Sequence, residues 1–211
     1  APGGTVIVTA TIHAHEMREI AAGLQGSGVA LIDSPVSGGR PGAQGGTLTL
    51  MLAAEDEALE RNRTVLEAIS RTIHHVGRAP GDGQVVKACL QSLIGAIFVA
   101  TYEMSVLAGK AGVSGEVLRR VIASTGAANG LTDGSLEHII ARRFEDTGSG
   151  IGTMWKDLTV SLELARRLGV PMHSTATAMQ LFQAGMAKYP GGDNQSVARV
   201  IEEIVGAELK P

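Results

Sequence analysis

At 211 residues, with 44% hydrophobic and 18% charged side chains, the chain is long enough to bury a core and too apolar to be disordered. A net charge of −3 with no basic run leaves no electrostatic case for nucleic acid or an anionic membrane as partner. The single cysteine, Cys89, excludes an intrachain disulfide and makes a reducing, cytoplasmic compartment the expectation.

Residues 1–5 lack the basic-then-apolar order of a signal peptide, and no apolar run is expected to reach the ~18 residues of a membrane span. The chain starts without Met just before a strand signal, so it reads as a piece of something longer. Thr5 to Ile12 is a β-branched run that predicts a buried strand. From His15 to Leu24, Met17, Ile20, Ala21 and Leu24 share one helical face, and Gly26 and Gly28 end the helix. Val29 to Asp33 and Gly46 to Ala53 read as strands, Glu55 to Ile69 as a helix and Thr72 to Val76 as a fourth strand. This alternation predicts βαβ units and a largely parallel sheet.

Past Val76 the strand signal stops. Gln84 to Ala108 reads as one long helix, apolar nearly all round and therefore buried, with Cys89 a small core residue. Further helices are expected over Ser114 to Ala123, through Leu136 to Ala141, and over Met154 to Leu168, Ser174 to Ala187 and Ser196 to Val205. Asp193 is assigned to the cap of the last of these. The boundary falls near Arg78-Ala79-Pro80, dividing an α/β part, residues 1–79, from an all-α part, residues 80–211.

Two motifs carry chemistry. Asp33-Ser34-Pro35-Val36-Ser37-Gly38-Gly39 is a strand end breaking into a Ser-Gly loop, where consecutive N–H groups can hold an anion or simply form a tight turn. Gly81-Asp82-Gly83-Gln84-Val85-Val86-Lys87 opens the long helix. Lys87 either snorkels out at the helix start or lies buried, where desolvation makes it a proton donor and acceptor near neutral pH. Gln91 is at i+4, so both residues can reach one ligand. Lys156-Asp157 reads alone as a solvated helix start. The chain has no G-x-G-x-x-G and no GxxxxGK[ST], and the six histidines show no metal-ligand spacing, so no metal is expected.

In this order, these residues resemble the β-hydroxyacid dehydrogenase family over essentially the whole chain. Residues 33–39 resemble its substrate loop, and Ala43 with Gly46-Thr47-Leu48-Thr49-Leu50-Met51 resembles the segment after that loop. Gly83 with Lys87 resembles its catalytic-lysine motif, Glu103 lies on the helix beyond, and Lys156-Asp157-Leu158 resembles its K-D-L. The resemblance implies the C-terminal part of a Rossmann-type NAD(P)-binding sheet domain, joined by a long helix to a 6-phosphogluconate-dehydrogenase-like helical domain. It implies that Ser37, Gly38 and Gly39 hold the substrate carboxylate, with Gln91 beside them. Lys87 would shuttle the proton, and Thr11 and Lys156 would lie near the NAD or NADP cofactor.

Three departures stand out. Leu90 stands where the family usually has an asparagine, so a substrate hydrogen bond is lost or passes to Gln91. Family members acting on sugar acids such as threonate also vary there, and the resemblance therefore implies a tilt toward such a substrate. Ala53-Ala54 replaces a glycine pair. The first βαβ unit, about 90 residues carrying the glycine-rich loop, is not present. Two readings follow: an NAD(P)-dependent dehydrogenase of a small hydroxy acid, or a non-catalytic helical oligomerisation fragment. The apolar helical half suggests a homodimer or homotetramer in either case.

Overall fold

A computed structural model describes residues 3–211. Five strands form one sheet: β1 (Thr5–Val8), β2 (Ala30–Asp33), β3 (Val36–Ser37), β4 (Leu48–Ala53) and β5 (Ser70–Gly77). Among them lie α1 (Ala14–Leu24), α2 (Gly39–Gln44) and α3 (Asp56–Ile69). There follow α4 (Asp82–Lys110), α5 (Gly115–Ala123), α6 (Gly130–Ile140), α7 (Ile151–Leu168), α8 (His173–Lys188) and α9 (Ser196–Val205). By its internal contacts the chain forms two compact units, one of Ala1–Leu90 with Glu163–Gly169 and one of Gln91–Leu162 with Val170–Pro211.

The sheet is only partly parallel. β1 pairs parallel with β2 and β4 parallel with β5, as their helical crossovers α1 and α3 require. β4, however, runs antiparallel to both β2 and β3. The reason is connection length: between Ser37 and Leu48 there is only the six-residue α2 and its turns, too short for a parallel crossover of a dozen or more residues. One row across this sheet positions everything that follows. Val8 is opposite Asp33, Asp33 opposite Ala53, and Ala53 opposite Gly77.

β4 is buried along almost its whole length, which is why it reads as an unbroken apolar run. Leu48, Leu50 and Leu52 pack with Ile32 of β2 and with Ala58, Leu59 and Leu66 of α3. The helical unit has its own core, in which Phe98 and Tyr102 of α4, Leu136 and Ile139 of α6, Leu158 of α7, Phe182 of α8 and Val197 of α9 meet.

Three expectations need correction here. α4 is not buried all round: Cys89 is exposed rather than a core residue, Leu93 is 59% exposed and Leu107 71%. By length and composition α4 also meets the requirement for a membrane span, although half of its most apolar window is buried in protein. Asp193 does not cap α9, whose N-cap is Gln195. Its carboxylate instead accepts hydrogen bonds from the Thr147 N–H and hydroxyl, the latter at 2.7 Å, fastening the α6–α7 connection.

Leu66 has no exposed surface in the sheet unit's core. Truncation by Leu66→Ala is expected to cost about 2–5 kcal/mol of unfolding free energy, read by denaturant titration.

Candidate active site

The head of α4 is built around one carboxylate. Asp33 ends β2 with no exposed surface. Its Oδ2 accepts the backbone N–H groups of Gly81 at 3.0 Å, Gly83 at 3.1 Å and Gln84 at 3.4 Å. Its Oδ1 accepts the Gln84 side-chain N–H at 2.8 Å. The first amides of a helix have no acceptor within it, and the helix dipole favours a negative charge there. The carboxylate thus caps α4 from a strand 48 residues earlier. Burial pushes the Asp33 carboxyl above its ordinary value, against the pull of the Gln84 side chain and the three backbone N–H groups.

Close approach requires glycine at this junction. A Cβ on Gly83 would stand 2.5 Å from the Met51 carbonyl and 3.0 Å from Pro35 Cδ. Lys87 follows one turn on and is 5% exposed, so of its two sequence readings the buried one holds.

The Ser37-Gly38-Gly39 segment is not a loop but the end of β3 running into α2. Gly38 is the N-cap with φ +129°, and Gly39 has φ +58°, conformations that favour glycine. Gly39 is the first residue of α2, where an amide has no intrahelical acceptor, and Ser37 is half-buried. Thr11, also half-buried, lies in the connection between β1 and α1. The sheet unit therefore contains Thr11, Ser37, Gly38, Gly39 and Lys87.

Gln91 and Lys156 belong to the helical unit. Gln91, 6% exposed, donates to Asp157 Oδ2 at 2.6 Å, and the Lys156 ammonium stands 2.6 Å from Asp157 Oδ1. α7 begins at Ile151, so Lys156-Asp157 is no solvated helix start. Asp157 is buried and Lys156 half-exposed.

Over residues 84–93, α4 buries long polar side chains and leaves apolar ones open. Gln84, Lys87 and Gln91 follow at steps of three and four residues and are all buried, while Val86, Cys89 and Leu93 at the same steps are exposed. At 3.6 residues per turn the two stripes are on roughly opposite sides. Sequence reasoning missed Asp33, Gln84 and Asp157. For Gln84 a signal was present, an uncharged polar residue amid an apolar helical run.

Residues 1–77 match the family model for the NAD binding domain of 6-phosphogluconate dehydrogenase. Residues 81–201 match that for NAD-binding of NADP-dependent 3-hydroxyisobutyrate dehydrogenase. The chain belongs to the β-hydroxyacid dehydrogenase family. Among its relatives is L-threonate dehydrogenase of Escherichia coli O6:H1, 31% identical over 204 residues, covering 96% of this chain and 67% of that protein. Another is 2-(hydroxymethyl)glutarate dehydrogenase of Eubacterium barkeri, 31% identical over 98% of this chain and 69% of its own. The crystal structure of 3-hydroxyisobutyrate dehydrogenase from Salmonella typhimurium superposes with a TM-score of 0.87 at 28% identity, over 95% of this chain and 70% of that one.

Members of the β-hydroxyacid dehydrogenase family are NAD(P)-dependent oxidoreductases, and this chain spans about two thirds of the length of the relatives named. Of its residues, those just past the carboxyl ends of β1 and β2 could hold part of the dinucleotide. Parallel β1 and β2 end side by side at Val8 and Asp33, the edge where such sheets take ligands, and Thr11 lies in the connection just beyond. The pyrophosphate-binding G-x-G-x-x-G is not among these 211 residues, which are assigned no part in holding that group.

The raised Asp33 carboxyl has a signed consequence for stability. The folded protein holds this proton more tightly than the unfolded chain, whose value is near 3.8. Asp33 therefore favours folding increasingly as pH falls through its folded-state value towards the unfolded one, and adds no slope above it. The wild type should gain unfolding free energy relative to Asp33→Asn as pH is lowered over that window. A difference that shrinks on acidification would contradict the shift.

Proposed function

We propose that the protein catalyses reversible hydride transfer between NAD(P) and a small hydroxy acid, with a sugar acid such as threonate the favoured substrate. Residues 1–79 would belong to its dinucleotide-binding domain and residues 80–211 to its substrate and dimerisation domain. The observation that carries the reading is Lys87, an amine buried at the glycine-capped head of α4.

A buried lysine changes protonation more readily than an exposed one because desolvation disfavours its charged form. In the oxidising direction the Lys87 amine takes the proton of the substrate hydroxyl. In the reducing direction its ammonium returns the proton to the carbonyl oxygen. The Ser37 hydroxyl and the Gly38 and Gly39 amides donate to the substrate carboxylate, which fixes the carbon bearing the hydroxyl relative to Lys87. Gln91 takes the hydrogen-bonding role left open by Leu90. Thr11 and Lys156 hold the cofactor, which when bound supplies or accepts the hydride.

The threonate assignment rests on Leu90 and on the 31% identity to a protein of that name. A homodimer is favoured by the exposed apolar stripe of α4, in which Leu93 and Leu107 stand open with the exposed Ala100 between them. The single cysteine supports a reducing, cytoplasmic compartment for the enzyme.

In the full-length protein, Lys87→Ala should lower kcat with L-threonate by about 10²–10⁴-fold while the thermal midpoint stays close to wild type. A folded variant of near-normal rate would remove Lys87 from its role. Absence of NADH and NADPH binding by the full-length wild type, read by nucleotide fluorescence, would defeat the reading as a whole.

A further inference from the structure

Gln84 is 1% exposed, and its carboxamide is engaged from both ends. Oε1 accepts the Ile12 N–H at 3.0 Å, while Nε2 donates to the Ala10 carbonyl at 3.1 Å and to Asp33 Oδ1 at 2.8 Å. Ala10 and Ile12 are the residues on either side of Thr11, so the amide brackets that residue's backbone. A carboxylate only accepts, so Nε2 must face Asp33, and the amide has one workable orientation. The other Asp33 oxygen takes the N–H groups of Gly81 and Gly83, which head the helix carrying Lys87 three residues beyond Gln84.

A leucine or methionine would fill the same volume without any of this. A glutamate could accept from Ile12 but, ionised, could not donate to Ala10 or Asp33. The chemistry selected is that of a neutral amide with one acceptor and two donors in use.

We infer that Gln84 is a positioning residue, which holds the Ala10–Ile12 backbone in register with the head of α4 and so places Thr11 for the cofactor. This rests on the function proposed above. It goes further by making cofactor affinity depend on a side chain that does not touch the cofactor.

The test uses full-length protein with Gln84→Met and Gln84→Glu. NADH and NADPH affinity is read by nucleotide fluorescence, and Ile12 amide exchange is read without any cofactor. Gln84→Met should speed Ile12 exchange and weaken nucleotide binding, each by about tenfold and at every pH, the scale of one or two lost hydrogen bonds. Gln84→Glu should bind weakly at about pH 8 and recover towards about pH 5, because two buried carboxyls come to share a proton and the acid form donates again. The other charged or titratable groups around the bracket are Lys87 one turn on and Asp82 of α4, Arg18 of α1 beside Gly81, and His13 next to Ile12 with Glu16, which accepts the His13 N–H. All are common to wild type and variants, so the contrast isolates residue 84.

A folded Gln84→Met that binds nucleotide as wild type does would overturn the inference. If that variant does not fold, Gln84→Glu decides alone, and an affinity that does not recover on acidification would overturn it equally. Wild type that binds no nucleotide would sink the proposed function instead, and the Ile12 exchange contrast would still report on the bracket.

Discussion

The sheet unit depends on one buried charge. A carboxylate without exposed surface is costly unless every lone pair is used, and Asp33 uses its two oxygens on four hydrogen bonds from the head of α4. The cost runs in both directions. Remove the carboxylate and the amides of Gly81, Gly83 and Gln84 lose their acceptor, each buried donor being worth about 1–3 kcal/mol when unpaired. β2 and α4 are therefore held together by mutual need, and Gly83 allows the approach that makes the bonds short enough.

The reversed β4 makes this contact geometrically cheap. Because the connection through α2 is short, β4 turns back along β2 and β3 and ends opposite Asp33. β5, parallel to β4, ends in the same row at Gly77. Only residues 78–81 are then needed to bring the head of α4 to the Asp33 carboxylate. Val8 completes the row on the other side, so the connection after β1 starts where the helix starts.

Much of this was legible in the sequence, and what was not had a common cause. Strand and helix identities follow from local periodicity, so the alternation up to Val76 and the helices after it could be read directly, except for the short β3 and α2, whose glycines read as a loop. Lys87 stood out because an ammonium amid Val85, Val86 and Ala88 violates the local pattern. Strand direction is different: β4 looks the same in either sense, and only the length of the α2 connection decides. Asp33 and Gln84 are 51 residues apart, and nothing local reports that they meet. Asp157 was misread because α7 begins five residues before Lys156, so a residue that resembles a first-turn acid is already in the second turn and buried.

The first turns of α4 hold the most general lesson, because from Gln84 to Leu93 the amphipathicity is inverted, whereas further along the helix buries Phe98, Val99, Tyr102 and Val106 in the ordinary way. An ordinary surface helix buries apolar residues and exposes polar ones, since each buried polar group needs a partner and each exposed apolar group leaves water ordered around it. Here Gln84, Lys87 and Gln91 are buried and Val86, Cys89 and Leu93 are open. Composition cannot reveal this, because both stripes average out to a helix that is apolar with a few polar interruptions. Packing alone does not favour it either: swapping the stripes would bury more apolar surface and release three polar side chains to water. A helix that keeps the arrangement against that gradient is shaped by what the buried stripe must hold and by what the open stripe must meet. Gln84 is held by Asp33 and the Ala10–Ile12 backbone, and Gln91 by Asp157. Lys87 lies between them in the row, so its neighbours along the helix are both fixed by carboxylates, and a turn of α4 can carry a chargeable amine without exposing it to water.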